Sequence, residues 1–235
     1  KNKNFVFKDN TLYTKDKTRI IIYMNSPLKT SYTVPDTVTE IDYGAFDKAT
    51  SLEKINFGKM DLNKLNLNQF SETKWYKSLP VNEVLYINDT AVGMAEKYIY
   101  AVNVKDGTKK ISDNFASSVW SDEVCIPESV EYIGSIPSVD VYYEGTREQW
   151  DKIAKSKDVQ SEERFMNLTC DFDKNNHEHI FYGNVTKENS CLSEGEVIYA
   201  CPCGEIKTEV LPKIHHYSTY YSYEKPASLK ATGKK

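Results

Sequence analysis

The stretch YTVPDTVTEI, residues 32–41, decides the fold, because a second copy of it, VCIPESVEYI, occupies residues 124–133. When the copies are aligned on their prolines, an apolar residue precedes each proline and an acidic residue follows it. Apolar residues then recur three and six positions beyond the proline. Shorter copies begin at Val102 and at Ile55, which gives a period of 22 to 23 residues. A period of this size indicates an array of stacked repeats.

The spacing of apolar residues within one copy has a direct structural interpretation. Tyr32 and Val34 alternate with polar residues, so they can point inward from a short strand while Thr33 points outward. Pro35 cannot donate a hydrogen bond to a sheet, so it ends the strand before the chain turns back. One such coil cannot bury its apolar edge alone, whereas stacked coils cover one another. The pattern therefore predicts a leucine-rich-repeat solenoid, with short parallel strands stacked into one sheet and few helices.

Two irregular regions open or interrupt the predicted array. Residues 58–100 break the period and are predicted to be an insertion. Within it, residues 75–79 suit a short helical segment, and a hairpin is expected to turn at residues 88–89. The strand-like segments of residues 5–23 are joined by polar turns and predict an irregular N-terminal cap.

The end of the array, residues 141–154, predicts a strand, a turn and a helix. Thr146 is the predicted N-cap of that helix, and Gln149 stands at the spacing of a capping box. Trp150 shares a helical face with Ile153, so we expect it to pack in the core.

Several of these segments together resemble a known family. VPDTVTEIDYGAF (residues 34–46), LYTKD (12–16), WYKSL (75–79) and YYEGTREQW (142–150) resemble the BspA-like leucine-rich repeats of bacterial surface proteins. The resemblance spans residues 5–172. It implies a right-handed solenoid on a secreted or wall-attached protein, often one that takes part in adhesion or binds host proteins. It supplies no catalytic residues.

Composition excludes several classes of protein. The chain has 235 residues and a formal net charge of -4, which is too mild to indicate nucleic acid or an anionic membrane as a partner. Its longest apolar run, residues 20–24, is far short of a membrane-spanning helix, so no membrane insertion is expected. The sequence begins at Lys1 rather than Met. We expect a piece of a longer bacterial protein, extracellular or on the cell surface, whose signal peptide lies upstream.

Histidine and cysteine are concentrated near the C-terminus. The segment from His177 onward holds all four histidines and three of the five cysteines. At an offset of 38 residues this segment begins to repeat, since His177 corresponds to His215, but the second copy stops before any cysteine pair. We therefore predict a leucine-rich-repeat domain at 1–174 and a small β-rich Cys/His module at 175–216. Residues 217–235 are predicted to be the start of a truncated second module or a tail.

The clustered cysteines and histidines leave three chemical states open. In the first, Cys191, Cys201 and Cys203 bind one structural zinc ion together with His179 or His216. In the second, export allows Cys191 to form a disulfide with Cys201 or Cys203, and in the third the thiols stay reduced. The single residue between Cys201 and Cys203 makes joint binding of one ion harder than a spacing of two. A zinc ion with four protein ligands has no open coordination position for a substrate, so such a site is structural. No cofactor is expected to be required for a reaction.

No pattern in the sequence pairs a nucleophile with a general base. Neither Gly-x-Ser-x-Gly nor His-Glu-x-x-His occurs. Cys125 has no local catalytic signature, faces outward by alternation with its apolar neighbours, and is expected to be inert. The protein is therefore predicted not to be an enzyme.

Two functions fit this organisation. The first is binding of an extracellular protein or glycan at the outward face of the repeat sheet, and the second is a passive spacer that presents another domain of a larger surface protein. The insertion is a further candidate interaction site. The outward positions predicted to form the binding face are Thr33, Lys54, Asn56, Asn103, Lys105, Glu123 and Cys125. They are polar or small, which suits a wet interface of modest affinity.

Overall fold

The computed structural model describes residues 3–80, 83–95, 99–159 and 165–214. Short strands dominate these residues, and the helices are few and brief. The strands are β1 (Phe5–Lys8), β2 (Thr11–Thr14), β3 (Arg19–Tyr23), β4 (Ser31–Thr33), β5 (Glu40–Ile41), β6 (Lys54–Asn56), β7 (Val84–Ile87), β8 (Thr90–Met94), β9 (Ala101–Asn103), β10 (Lys110–Ile111), β11 (Glu123–Ile126), β12 (Tyr132–Ile133), β13 (Asp140–Tyr143), β14 (Ala154–Lys155), β15 (Leu168–Thr169), β16 (Tyr182–Lys187), β17 (Gly195–Ala200) and β18 (Ile206–Leu211). The helices are α1 (Lys74–Lys77), α2 (Phe115–Ser118) and α3 (Arg147–Lys152), with 3-10 turns at Leu62–Lys64 and Leu67–Phe70. Within the described residues, no helix combines the length and the apolar character that crossing a membrane requires.

Strands of successive repeats pair in parallel, as the sequence period predicts. In the pair β4–β6, Tyr32 lies opposite Ile55, 23 residues later in the chain. In the pair β10–β12, Ile111 lies opposite Ile133, 22 residues later. Equivalent positions of neighbouring copies therefore lie side by side, which is the arrangement expected of leucine-rich-repeat units.

The prediction of one continuous sheet is wrong, because the strands of the described residues form separate small sheets. β4 pairs with β6 alone, whereas β9, β11, β13 and β15 form a four-stranded sheet in the order β15-β13-β11-β9. Strand β6 ends at Asn56 and β9 begins only at Ala101, so the insertion lies between these two sheets in the sequence. Several repeats also contribute a second strand, and these strands build another sheet in the order β14-β12-β10-β8-β7.

Local features that depend on short stretches of sequence are confirmed. Helix α1 overlaps the predicted helical segment, and Thr73 accepts a hydrogen bond from the backbone of Tyr76 at its N-terminus. The hairpin of β7 and β8 turns at Asn88, whose φ of 56° is a left-handed conformation that asparagine tolerates. At α3, Thr146 and Gln149 form both hydrogen bonds of the capping box. Strands β1, β2 and β3 form the antiparallel opening of the array.

The buried side chains form two clusters, and the insertion contributes residues to both. In the N-terminal cluster, Phe46 lies 5.5 Å from Tyr23 and 4.8 Å from Phe70 between ring centroids. In the C-terminal cluster, Trp150 is fully buried and contacts Tyr143 at 5.3 Å. The presence of two cores agrees with the split of the sheets, and the insertion packs as part of these cores.

We predict that Val38→Asp or Ile41→Asp lowers the free energy of unfolding by about 3 kcal/mol or more, because each places an unpaired charge in the N-terminal cluster. Val38 is 1% exposed and Ile41 is 7% exposed. Leu28→Asp is the matched control, since Leu28 is 95% exposed, and it should leave the transition unchanged. Urea unfolding followed by circular dichroism gives the answer, and an unshifted transition in Val38→Asp would contradict this register.

Candidate metal centre and the sheet face beneath it

Four side chains of the Cys/His module converge. The ligand atoms of His177, His179, Cys201 and Cys203 all lie within 4.8 Å of one another. His177 Nε2 is 3.2 Å from Cys201 Sγ, and His179 Nδ1 is 3.5 Å from Cys203 Sγ. Among the described residues, no other set of three or more His, Cys, Asp or Glu side chains is grouped in this way.

The fold of the module explains how the cysteines reach the histidines. Strands β16, β17 and β18 form an antiparallel sheet, and the tight turn between β17 and β18 carries Cys201 and Cys203. Gly204 N donates to the carbonyl of Cys201 at 2.8 Å, and Gly204 has a φ of 92°, which glycine adopts without strain. The segment before β16 brings His177 and His179 to the same place.

The distances suit a tetrahedral zinc ion. Zinc binds thiolate sulfur at about 2.3 Å and imidazole nitrogen at about 2.0 Å, so a tetrahedron places neighbouring S and N ligands about 3.5 Å apart. The two nitrogen–sulfur approaches of 3.2 Å and 3.5 Å match that edge. The single residue between Cys201 and Cys203 therefore does not keep the two thiols apart in this turn.

Hydrogen bonds orient both histidines for metal binding. His177 Nδ1 is 3.0 Å from the carbonyl oxygen of Asp173, and His179 Nε2 is 3.2 Å from a carboxylate oxygen of Glu205. Each contact places the ring proton on the nitrogen that faces the oxygen, Nδ1 in His177 and Nε2 in His179. The nitrogen that faces a sulfur therefore keeps its lone pair. Burial raises the pKa of the Cys201 thiol, so a cation would be needed to stabilise its thiolate.

The structure changes the set of candidate ligands. Cys191 is exposed and lies outside the group, and no disulfide joins it to Cys201 or Cys203. His216 lies outside the described residues. His177 takes part instead, and a signal for it was present in the spacing. His177 precedes Cys201 by 24 residues, as His179 precedes Cys203.

The predicted binding face falls into two unlike groups. Thr33, Lys54 and Asn56, on β4 and β6, are exposed, and so is Lys105. Asn103 is half-buried, whereas Glu123 is 4% exposed and Cys125 is fully buried. The expectation that Glu123 and Cys125 reach solvent is therefore wrong.

The C-terminal part of the chain covers these positions. Asn103 Nδ2 donates to the carbonyl oxygen of Pro202 at 3.4 Å and to that of Cys203. Beside it, the rings of Tyr100 and Tyr182 stack with centroids 4.0 Å apart. The turn that carries two candidate metal ligands thus lies directly on strand β9.

The segment before the module covers the same sheet face at strand β13. The ring of Tyr142, on β13, is 5.0 Å from that of Phe172, which is 4.9 Å from the imidazole of His177. Lys174 Nζ is 3.0 Å from Glu144, whose carboxylate also lies 3.8 Å from Cys125 Sγ. Burial and the nearby carboxylate of Glu144 raise the pKa of Cys125, in agreement with an inert thiol.

A buried carboxyl lies on this covered face. Tyr142 donates to Glu123 Oε1 at 3.4 Å, while Glu123 Oε2 has no hydrogen-bond partner. Burial and then the negative charges of Asp140 and Asp122 raise the pKa of Glu123 to about 7. The carboxyl is therefore close to its titration midpoint at neutral pH.

Parallel repeats followed by a compact Cys/His module define a leucine-rich-repeat protein with a candidate metal centre. Residues 21–136 match the BspA type Leucine rich repeat region in six copies. The match confirms the resemblance drawn from the repeats and covers just under half of the chain. Comparison with curated proteins and with solved structures gave no match.

The raised pKa of Glu123 predicts a specific loss of stability with pH. The unfolded carboxyl ionises at about 4.5 and the folded one at about 7, so the protein loses stability as the pH rises between these values. Above pH 7, Glu123→Gln should be more stable than the unsubstituted chain by about 1–3 kcal/mol, and near pH 4 the two should agree. Exposed Glu128→Gln is the control. Urea unfolding across pH 4–8 checks this, and a pH-independent difference between Glu123→Gln and the unsubstituted chain would contradict it.

Proposed function

We propose that the chain is part of a non-catalytic bacterial surface protein, secreted or wall-attached, whose repeats stack as a solenoid and bind an extracellular glycan or protein. The family match supports a surface repeat protein, since BspA-type repeats are typically surface-associated and leucine-rich repeats generally mediate protein binding. The candidate metal centre supports a structural rather than a catalytic site, because four protein ligands leave no open position. The proposed boundaries remain 1–174 for the repeat domain and 175–216 for the module. Residues 217–235, which lie outside the described residues, are proposed to be the start of a second module or a tail.

The observation that carries the binding proposal is a polar cleft beside the exposed strands β4 and β6. The cleft has a volume of about 420 Å³, and its lining includes Tyr13, Tyr23, Tyr32 and the predicted binding residue Thr33. Asp9 and Lys29 also line it, so the wall offers both charges and hydroxyls.

Three tyrosines line this cleft, and the hydroxyl of one of them is buried. Tyr13 and Tyr32 are hydrogen-bonded to each other at 2.8 Å between hydroxyl oxygens. Tyr23, whose side chain is almost wholly buried, has no hydrogen-bond partner for its hydroxyl. Burial raises the pKa of Tyr23, so the hydroxyl stays protonated and able to donate. The hydroxyls and charges that line the cleft favour a ligand rich in hydroxyl groups, and a glycan has that chemistry.

The alternative function is a passive spacer that presents another domain. It is favoured by the covering of Glu123 and Cys125, because this removes part of the predicted binding face from solvent. The two functions differ in whether the cleft recognises anything, so a binding experiment separates them.

We predict that Thr33→Val weakens glycan binding by about 3- to 10-fold, the effect of one hydrogen bond, without lowering the thermal midpoint. Stability should be kept because Thr33 is exposed and valine is well accommodated in a strand. Thr208→Val is the matched control, since Thr208 is exposed on β18 and does not line the cleft, and it should change neither property.

The measurement is an array of bacterial cell-wall and host oligosaccharides together with a panel of extracellular-matrix proteins, followed by titration calorimetry of any hit. Binding that Thr33→Val leaves intact would remove the cleft from the proposal. The absence of binding to every probe would favour the spacer.

We also propose that His177, His179, Cys201 and Cys203 hold one structural zinc ion. The nitrogen–sulfur distances and the oriented imidazoles support this donor set. Two thiolates and two imidazoles are a common set for zinc in small modules, where binding of the metal contributes to folding.

The zinc proposal predicts one zinc per chain by mass-spectrometric metal analysis. His177→Ala should lower the content to below about a tenth of an equivalent after dialysis against a weak chelator, because three ligands hold the ion far less tightly. Cys191→Ser tests the ligand set, since Cys191 is exposed and outside the group and its loss should leave one zinc in place. Zinc lost with Cys191 but kept without His177 would contradict the assignment.

A further inference from the structure

We propose that the metal centre fastens the Cys/His module onto the sheet of β9, β11 and β13, so that metal occupancy decides whether this sheet face is covered. The sheet face is defined here by Asn103, Glu123, Cys125 and Tyr142. The inference rests on the proposed zinc site and adds a role to it: the ion controls access to a surface of the repeat domain.

Two of the ligands, Cys201 and Cys203, lie on a turn that contacts the sheet face directly. Asn103 donates to the carbonyl oxygens of Pro202 and Cys203, within the ligand-bearing turn. The next residue, Gly204, approaches Asn103 so closely that a Cβ there would lie 2.9 Å from Nδ2. The turn therefore fits against β9 with no room for a larger residue.

The other two ligands, His177 and His179, are connected to the sheet face at strand β13. The imidazole of His177 packs on Phe172, which packs on Tyr142 of β13. His177 and His179 are themselves in contact, with ring centroids 4.4 Å apart. These ligands are thus connected to β13, two strands away from the contact of the turn with β9.

A single row of the sheet joins the two contacts. Asn103 lies opposite Cys125, and Cys125 lies opposite Tyr142. A metal ion bound by the turn and by the two histidines would therefore connect contacts at both ends of this row. Cys125, in the middle of the row, is fully buried beneath them.

The module has little else to hold its position. Of the described side chains in its three strands, only Val197 and Ala200 are buried and apolar, and nearly all of β18 is exposed. A sheet of this size buries too little apolar surface to be strongly stable alone, so small domains of this kind depend on a metal or on a larger partner. The contacts that do not involve the ion include those of Asn103 with the turn, of Tyr182 with Tyr100 and of Phe172 with Tyr142. They also include the ion pairs of Lys174 with Glu144 and Asp106.

Release of the module would add a second polar surface to the exposed strands β4 and β6. That surface carries an amide, a carboxyl, a thiol and a phenol, from the four residues that define the sheet face. In a zinc-poor environment the repeat domain would thus present a larger face to a partner than in a zinc-rich one.

The alkylation rate of Cys125 measures whether the module is in place. The full chain is treated with iodoacetamide in the presence of zinc or of a strong zinc chelator, and peptide mass spectrometry gives the rate at each cysteine. The chelator should raise the rate at Cys125 at least about tenfold, because the face opens once the ion is removed. Circular dichroism of the same sample should show that the repeat strands stay folded.

Two asparagine variants separate docking from metal binding. Asn103→Ala removes the donor to the turn but no ligand, so the chain should keep one zinc while Cys125 reacts several-fold faster even with zinc present. Asn56→Ala is the matched control, since Asn56 is exposed on β6, and it should change neither the zinc content nor the rate at Cys125.

The outcomes distinguish the two proposals. One zinc per chain with a chelator-sensitive Cys125 supports both. One zinc per chain with an unchanged rate at Cys125 keeps the zinc site and overturns its role in docking. Absence of zinc from the chain overturns both proposals, because the burial of Cys125 would then not depend on a metal.

Discussion

The structure depends on the parallel pairing of equivalent strands from successive repeats. Val102, Val124 and Val141 lie opposite one another across β9, β11 and β13, and all three are buried in the C-terminal cluster. Since side chains alternate along a strand, placing these residues inward turns the intervening residues to the opposite face. One apolar row per repeat therefore fixes both the core and the composition of the sheet face.

The sheet face is then available to whichever element lies against it, and in this chain the Cys/His module does so. Contact with the module turns a polar surface into an interface, which explains why Glu123 and Cys125 are buried although they lie outside the core row. The candidate metal centre lies at this interface, and the polar cleft near Tyr23 lies in the other half of the array. Ligand binding is thus proposed for the cleft near the N-terminus of the array, and metal-dependent access to a sheet face is proposed for its C-terminal part.

Features fixed by neighbouring residues could be predicted from the sequence, and features fixed by distant contacts could not. The period placed Tyr32 opposite Ile55, and the spacing of Thr146 and Gln149 gave the capping box. The split of the sheets depends on where the chain returns after the insertion, which no local pattern encodes. The burial of Cys125 depends on a module whose turn contacts Asn103 from about 100 residues away in the chain. The ligand set was only partly predicted, because exposure of Cys191 depends on how the module folds.

The contact between the repeat sheet and the module is the central claim, and the rings of Tyr100 and Tyr182 report on it most directly. Their centroids are 4.0 Å apart, although one residue precedes β9 and the other begins β16. Nuclear Overhauser spectroscopy of the zinc-loaded chain, with these two tyrosines selectively assigned, should show strong cross-peaks between the ring protons. A zinc-loaded chain with dispersed signals and no cross-peak between these rings would contradict the account, because the module would then lie away from the sheet face.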